Sequence, residues 1–499
     1  MSLLFLLLVM ADADAALARA LSLASANKLN EAERILVEGR KAYPLDARFD
    51  VELAGIAWRN KQTERAKSYL RKGLRLDPSN AYANEFLGTA YLLDGNVFAA
   101  LPYLNRLRRP VIGKVALAPD PPLRTEMIGR LVGVSTGQLL TTRRLSETER
   151  NLARLRMFPE PRFQLAPVGS SYDLTVRAPV LSQPLSGVIG RVLPIVRGLP
   201  YQQVNFDWLN LQHRAISLTS QWRWDPDKRR IAVNYRVPSI HSAYSLWTDL
   251  RDEEWNLPMR NDVGIRSAAV GGALEFELGN GLTWTPGIVL SRHTFRHGAF
   301  ANATIAEIRN RFDLPRWRLA ERRVTVDSSV TARAGRIFSG AGSRLIGAEF
   351  DTNLRWLPQA KDDVYQVSGR LRAAALSGDL PVDALYITAI ERDTDLWLRG
   401  HAGTQNGRKG NAPMGSRFGV MQTEFTRRVL RIPFVRLDAG PFFDVGNVGG
   451  VAGLGSRGFL YDTGVQANVS ALGGFRFSFV YGRDLRGGHN VFYATAILR

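Results

Sequence analysis

The spacing of apolar side chains changes twice along the 499 residues. From about residue 12 to residue 110 it is helical and it repeats. Ala32, Ala66 and Ala100 are spaced by 34, as are Leu36, Leu70 and Leu104, then Pro44 and Pro78, and Leu53 and Leu87. A 34-residue unit predicts paired helices, with alanines where two helices approach and a proline ending each second one. Residues 111–123 (VIGKVALAPDPPL) are proline-rich and read as a linker. Arg124 to Val180 carries a compact α+β pattern: a short strand over Met127 to Val134, a helix over Ser146 to Phe158, and two alternating strands. Leu152, Leu155 and Phe158 share one helix face, Ser146 and Glu149 form a capping box, and Phe163/Leu165 and Tyr172/Leu174/Val176 alternate as half-buried strands do.

From about Leu199 to Arg499 the period is two. Ile216, Leu218, Trp222 and Trp224 face one way and Ser217, Thr219, Gln221 and Arg223 the other; Ile231, Val233, Tyr235 and Val237 oppose Arg230, Asn234 and Arg236. Val367, Leu371 and Ala373, then Phe475, Phe477, Phe479 and Tyr481, repeat the pattern. In a soluble sandwich the apolar face would be the core. In a membrane barrel it faces lipid, and the arginines line a wet lumen. Strands of about ten residues suit a tilted bilayer crossing. Short turns (Asp225 to Lys228, Gly279 to Gly281) alternate with longer glycine-rich loops. About sixteen strands are predicted, the eleventh starting near residue 383 and the twelfth near 415, and an even number of antiparallel strands closes without an edge.

Composition narrows the classes. The chain is 45% hydrophobic and 22% charged, too apolar for a disordered polymer, and no run of 18 apolar residues marks a helical membrane span, which leaves a barrel open. Without cysteine there is no disulfide, thiolate metal site or cysteine nucleophile. Met1 to Ala15 has an apolar core, Leu3 to Met10, followed by small residues; it reads as an export signal lacking a basic start, or as the apolar beginning of a helix. The net charge of +20 comes from arginines at alternate strand positions, with Lys228, Lys361 and Lys409 the only lysines after residue 200. That distribution suits a lumen or a lipopolysaccharide-facing rim better than nucleic acid. Gly133 to Gly137 fits a nucleophile elbow without a surrounding parallel sheet, and Gly453 to Gly458 fits a dinucleotide fingerprint but precedes a strand. His293 and His297 on a strand would lie about 13 Å apart, too far for one metal. No enzyme site, cofactor or metal centre is expected.

Three resemblances follow from particular residues. Leu87-Gly88-x-x-Tyr91 in the third 34-residue unit resembles the tetratricopeptide consensus, which implies either a concave face for an extended peptide or partner, or a spacer. The stretch GQLLTTRRLSETERNLARLRMF from Gly137, ending in the strand Leu174-Thr175-Val176, resembles a POTRA domain, a periplasmic module that takes client strands by edge pairing. Leu398-Arg399-Gly400-His401, the glycines Gly403, Gly407, Gly410 and Gly415, Glu424, and Phe442-Phe443-Asp444-Val445-Gly446-Asn447 resemble the bacterial surface-antigen superfamily of POTRA-plus-barrel proteins. That resemblance implies that Arg399 is the tip of a loop folded into the lumen, that Asp444 is its partner on the wall with Glu424 a second acceptor, and that Phe442 and Gly446 complete the barrel motif. Only a carboxylate on a rigid strand gives such an arginine a bidentate partner, and losing one member would cost on the order of 3 kcal/mol. His401 departs from the family by standing where an aromatic residue is usual, and the final Tyr493 to Arg499 lacks the usual terminal aromatic residue.

The expected protein therefore has a possible signal (1–15), tetratricopeptide repeats (16–110), a linker (111–123), a POTRA-like domain (124–180) and an outer-membrane antiparallel β-barrel (190–499). It would sit in the outer membrane of a Gram-negative bacterium with its N-terminal region periplasmic. Its partners would be outer-membrane lipid, unfolded outer-membrane or secreted polypeptides, and a periplasmic protein bound by the repeats. Its work would be inserting or translocating polypeptides, through the loop-plugged lumen or at a seam between Tyr201 to Trp208 and Val491 to Leu498. The alternative is an exopolysaccharide-export porin with a tetratricopeptide scaffold, its arginine-lined lumen suited to an acidic sugar chain. A third reading makes the barrel only an anchor for the repeats.

Overall fold

Helices form where the 34-residue pattern puts them. The computed structural model describes residues 3–158, 161–180, 202–296, 300–340, 342–391, 394, 398–432, 435–471 and 475–497. Three helix pairs follow in order: α1 (Leu3–Ser25) with α2 (Leu29–Ala42), α3 (Ala47–Arg59) with α4 (Thr63–Leu76), and α5 (Ala81–Leu93) with α6 (Val97–Arg106). Ala32, Ala66 and Ala100 occupy the same place in successive pairs, all at 0% exposure, and Leu36, Leu70 and Leu104 are buried beside them. Pro44 and Pro78 fall just after α2 and α4. The starts of α3, α5 and α6 are capped by Asp46, Asn80 and Asn96, whose side chains accept backbone N–H bonds.

Three local expectations are corrected after the repeats. The linker contains a strand, β1 (Ile112–Ala118), since its prolines all come after Ala118 and leave this stretch free to pair. The expected strand over Met127 to Val134 is the helix α7 (Thr125–Leu131), whose first turn closes on the Arg124 carbonyl; short apolar runs do not separate the two by periodicity. The next helix, α8 (Thr142–Arg154), starts a turn before Ser146 because Thr141 Oγ1 accepts the Arg144 N–H at 3.3 Å, and Arg156 follows its end at a left-handed φ of 54°. The strands β2 (Arg162–Val168) and β3 (Ser171–Arg177) form as expected, in a sheet ordered β1-β3-β2 with β1 parallel to β3. Compactness divides the chain into a unit of residues 1–118, 132–148 and 162–177 and a second of residues 119–131, 149–161 and 178–499.

The second unit is built on one sheet of eighteen described strands, three of them (Trp317–Leu319, Thr404–Gln405 and Arg408–Lys409) only two or three residues long. The fifteen long strands pair with their sequence neighbours in antiparallel register, from Gln203–Leu211 to Asn490–Ile497, and the order brings the last beside the first in a ring. The count of sixteen included a strand near residue 383 that is not part of this wall. Fifteen alternating strands leave the first and last described ones running the same way, so the even number expected is not met among the described long strands. Of the expected seam residues, Tyr201 and Leu498 lie outside the described ones, as does His297.

The two faces of the ring differ as the period-two pattern predicts. Trp222, Trp224, Ile231, Leu246, Leu250 and Ile288 are exposed, while Arg223 and Arg236, facing the other way, are buried. Inward arginines pair with carboxylates on adjacent strands: Arg230 with Asp249 (2.7 Å), Arg370 with Asp351 (2.8 Å), Arg372 with Glu349 (2.7 Å) and Arg333 with Glu307 (2.8 Å).

Candidate functional site: the loop within the ring

Residues 378–416 leave the tenth long strand, Tyr365–Ser377, and return into the eleventh, Arg417–Ile432. This loop was expected between strands eleven and twelve. The segment counted as the eleventh strand belongs to the loop itself: Val382, Leu385, Ile387 and Ala389 pack with Trp255, Val263, Ile265 and Phe295 of the wall. Inward side chains at this end of the strands are thus apolar, and the loop supplies the rest of a small core.

Arg399 is fully buried. Its Nε and Nη2 donate to the two oxygens of Asp444, at 2.8 and 2.5 Å, and its backbone N–H donates to Asp444 Oδ2 at 3.2 Å. Nη1 donates to Glu424 and, at 2.9 Å, to Gln466 Oε1, while the guanidinium lies 3.9 Å above the centre of the Phe442 ring. Every donor edge of the side chain is therefore aimed at the wall, and the ring face adds a cation–π contact. Gly446 makes room beside it: a Cβ there would stand 2.9 Å from Val420 Cγ2 and 3.1 Å from Leu398 Cδ2. The structure thus places Arg399, Asp444, Glu424, Phe442 and Gly446, the residues the resemblance named, close together.

Two acceptors were missed. Asp444 on the strand Val435–Gly449 stands opposite Asp462 on Leu460–Ala471, which stands opposite Asp484 on Phe475–Asp484. Three carboxylates in direct cross-strand contact repel one another, and the loop tip supplies the counter-charge. The Gly400 N–H donates to Asp462 Oδ2 at 2.6 Å; the His401 ring sets Nδ1 3.1 Å from Asp462 Oδ2 and Nε2 3.5 Å from Asp484 Oδ2. Burial disfavours the imidazolium, but the hydrogen bond to Asp462 and the charges of both aspartates outweigh it and hold the His401 pKa above the ordinary histidine value. His401 thus ties the loop to two wall aspartates. The signal was present: Tyr461-Asp462 repeats the apolar-then-acidic alternation of Phe443-Asp444 one strand later.

The rest of the loop is tied to other wall strands. Lys409, buried, reaches Glu253 at 2.8 Å, and Glu253 also accepts from Trp255 Nε1. Lys228 donates to Thr404 at 3.0 Å and lies 3.7 Å from Glu391; His293 meets Asp383 at 2.7 Å. Two of the three lysines after residue 200 take part in these contacts of the loop.

The residues define a class: a ring of strands with apolar side chains outward and charged ones inward, and a long loop that salt bridges pin to the wall. No family model and no curated protein matches the chain. Solved structures do: BamA from Haemophilus ducreyi lacking POTRA domains 1–3 (12% identity, 77% of this chain and 84% of that one, TM-score 0.43), CdiB from Acinetobacter baumannii (12%, 76% and 71%, 0.45) and CdiB from Escherichia coli (11%, 78% and 75%, 0.49).

Proposed function

We propose that the chain is an outer-membrane β-barrel protein of a Gram-negative bacterium that inserts or translocates polypeptides. In this reading the ring is a closed transmembrane barrel, the helix pairs are tetratricopeptide repeats, and residues from Ile112 to Arg177 form a POTRA-like domain; both would lie in the periplasm and capture a client. The jacket of exposed Trp, Leu and Ile supports the lipid environment, since in water the same area would drive association. The observation that carries the reading is the burial of Arg399 against Asp444, because a lumen held shut by a bidentate ion pair suits regulated passage better than free diffusion.

Paired arginines weigh against the polysaccharide porin. The inward guanidiniums at Arg230, Arg333, Arg370 and Arg372 already hold carboxylates, so an acidic sugar chain would have to displace them. Depleting the protein and measuring the outer-membrane proteome alongside surface glycans tests the choice: loss of particular outer-membrane or secreted polypeptides supports the proposal, and loss of glycan alone overturns it. The charge swap Arg399→Asp with Asp444→Arg tests the pin. Either single change should abolish function. The double change should recover part of it, since residue 444 regains a partner while Glu424 faces a carboxylate.

A further inference from the structure

The row Asp444, Asp462 and Asp484 holds more buried negative charge than the loop tip balances. Arg399 is committed to Asp444, Glu424 and Gln466. Among the described residues, the cationic side chain that reaches Asp462 and Asp484 is His401, so two buried carboxylates share at most one positive charge. Asp462 is entirely buried and its Oδ1 has no hydrogen-bond partner. That oxygen lies on the Gly400 side, where a Cβ would stand 2.7 Å both from it and from the Asp484 backbone nitrogen. A carboxylate oxygen left unsatisfied away from water is costly until a donor or a cation completes it, and beside a second buried carboxylate a cation also offsets the charge.

We propose that His401, Asp462 and Asp484 bind a divalent transition-metal ion of the zinc kind, taken by one imidazole nitrogen and one oxygen of each carboxylate, which clamps the loop tip to two wall strands. One candidate ligand atom from each residue lies within 4.8 Å of the others. Zinc bonds are about 2.0–2.2 Å long, so each ligand atom moves inward by less than about 1 Å to take up the ion. One nitrogen and two carboxylate oxygens, with a fourth position for water, form a donor set that zinc accepts. A dication would bring the three side chains close to neutrality, and the imidazole nitrogen left off the metal keeps a carboxylate as its hydrogen-bond acceptor, which fixes the ring. The proposal stands on this cluster alone, whatever the barrel transports.

The test uses the full-length protein in detergent, stripped with chelator and titrated with ZnCl2 by calorimetry, then with Co2+ to read its d–d absorption. The wild type should bind one ion per chain and give the absorption of a low-symmetry nitrogen–oxygen site. His401→Gln and Asp484→Asn should each weaken binding at least tenfold and abolish the bands, while His213→Gln, at an exposed position, should match the wild type. Heat-modifiable gel migration identifies any variant that fails to fold. A folded His401→Gln that binds as the wild type does, or a wild type that shows neither stoichiometric zinc nor cobalt bands, overturns the proposal.

Discussion

Leu70 in the helical repeats and Ile288 in the ring are similar in size and hydrophobicity, yet one is 0% exposed and the other 68%. The reverse holds for charge. Lys28 and Glu31 of the repeats pair at the surface with their side chains more than half exposed, whereas Arg399 and Asp444 pair with almost none. The repeats place apolar groups inward and charge outward, as a chain folding in water does. The ring does the opposite, so its free energy of folding cannot come from burying those same side chains within the protein. In the proposed outer-membrane setting it would draw on the surrounding lipid and on the hydrogen-bonded wall.

The contrast can be broken at single positions. Leu70→Ala leaves a cavity in the helical core and should cost about 2–5 kcal/mol, read as an earlier helical transition in thermal circular dichroism. Were that transition unmoved, the repeats would not be packed on their alanine and leucine positions. Ile288→Arg, on the outer face near the middle of the strand Leu282–Phe295, should cost about 2–4 kcal/mol for folding into lipid vesicles, followed by tryptophan fluorescence. In a water-exposed strand the same change would be near neutral, so an unaffected variant removes the case for lipid. The smallest effect sharpens the inner face: a Cβ on Gly482 would stand 2.0 Å from the Arg399 carbonyl oxygen, so Gly482→Ala must push the loop tip off the wall. About 1–3 kcal/mol of lost thermal stability is expected, with faster proteolysis of the loop as the accompanying readout.

Much of this was legible in the sequence, for a physical reason. Period-two alternation assigns each strand residue to a face whatever the solvent on either side, and strand length with the alternation of short turns and long loops favoured the apolar face pointing outward. Arg399, Asp444 and Glu424 were named through the resemblance to the surface-antigen superfamily, and the need of a buried guanidinium for carboxylates on a rigid support gives that pairing a physical reason. The segment near residue 383 misled because Leu385, Ile387 and Ala389 alternate like a strand while packing as the core of a loop; periodicity records burial on one side and says nothing of what hydrogen-bonds the backbone. Asp462 and Asp484 escaped because cross-strand register, which lines them up with Asp444, is set by turn lengths that single-strand patterns do not reveal. The strand at Ile112–Ala118 was hidden by the prolines that follow it.

The loop is fastened at Asp444 and Asp462 on late strands of the ring and at Lys228, Glu253 and His293 on early ones. Mechanically it is a spoke and not merely a stopper: flattening the cylinder along that diameter compresses it, and widening the cylinder puts it under tension. Widening the ring would therefore first detach one end, at whichever anchor is weaker.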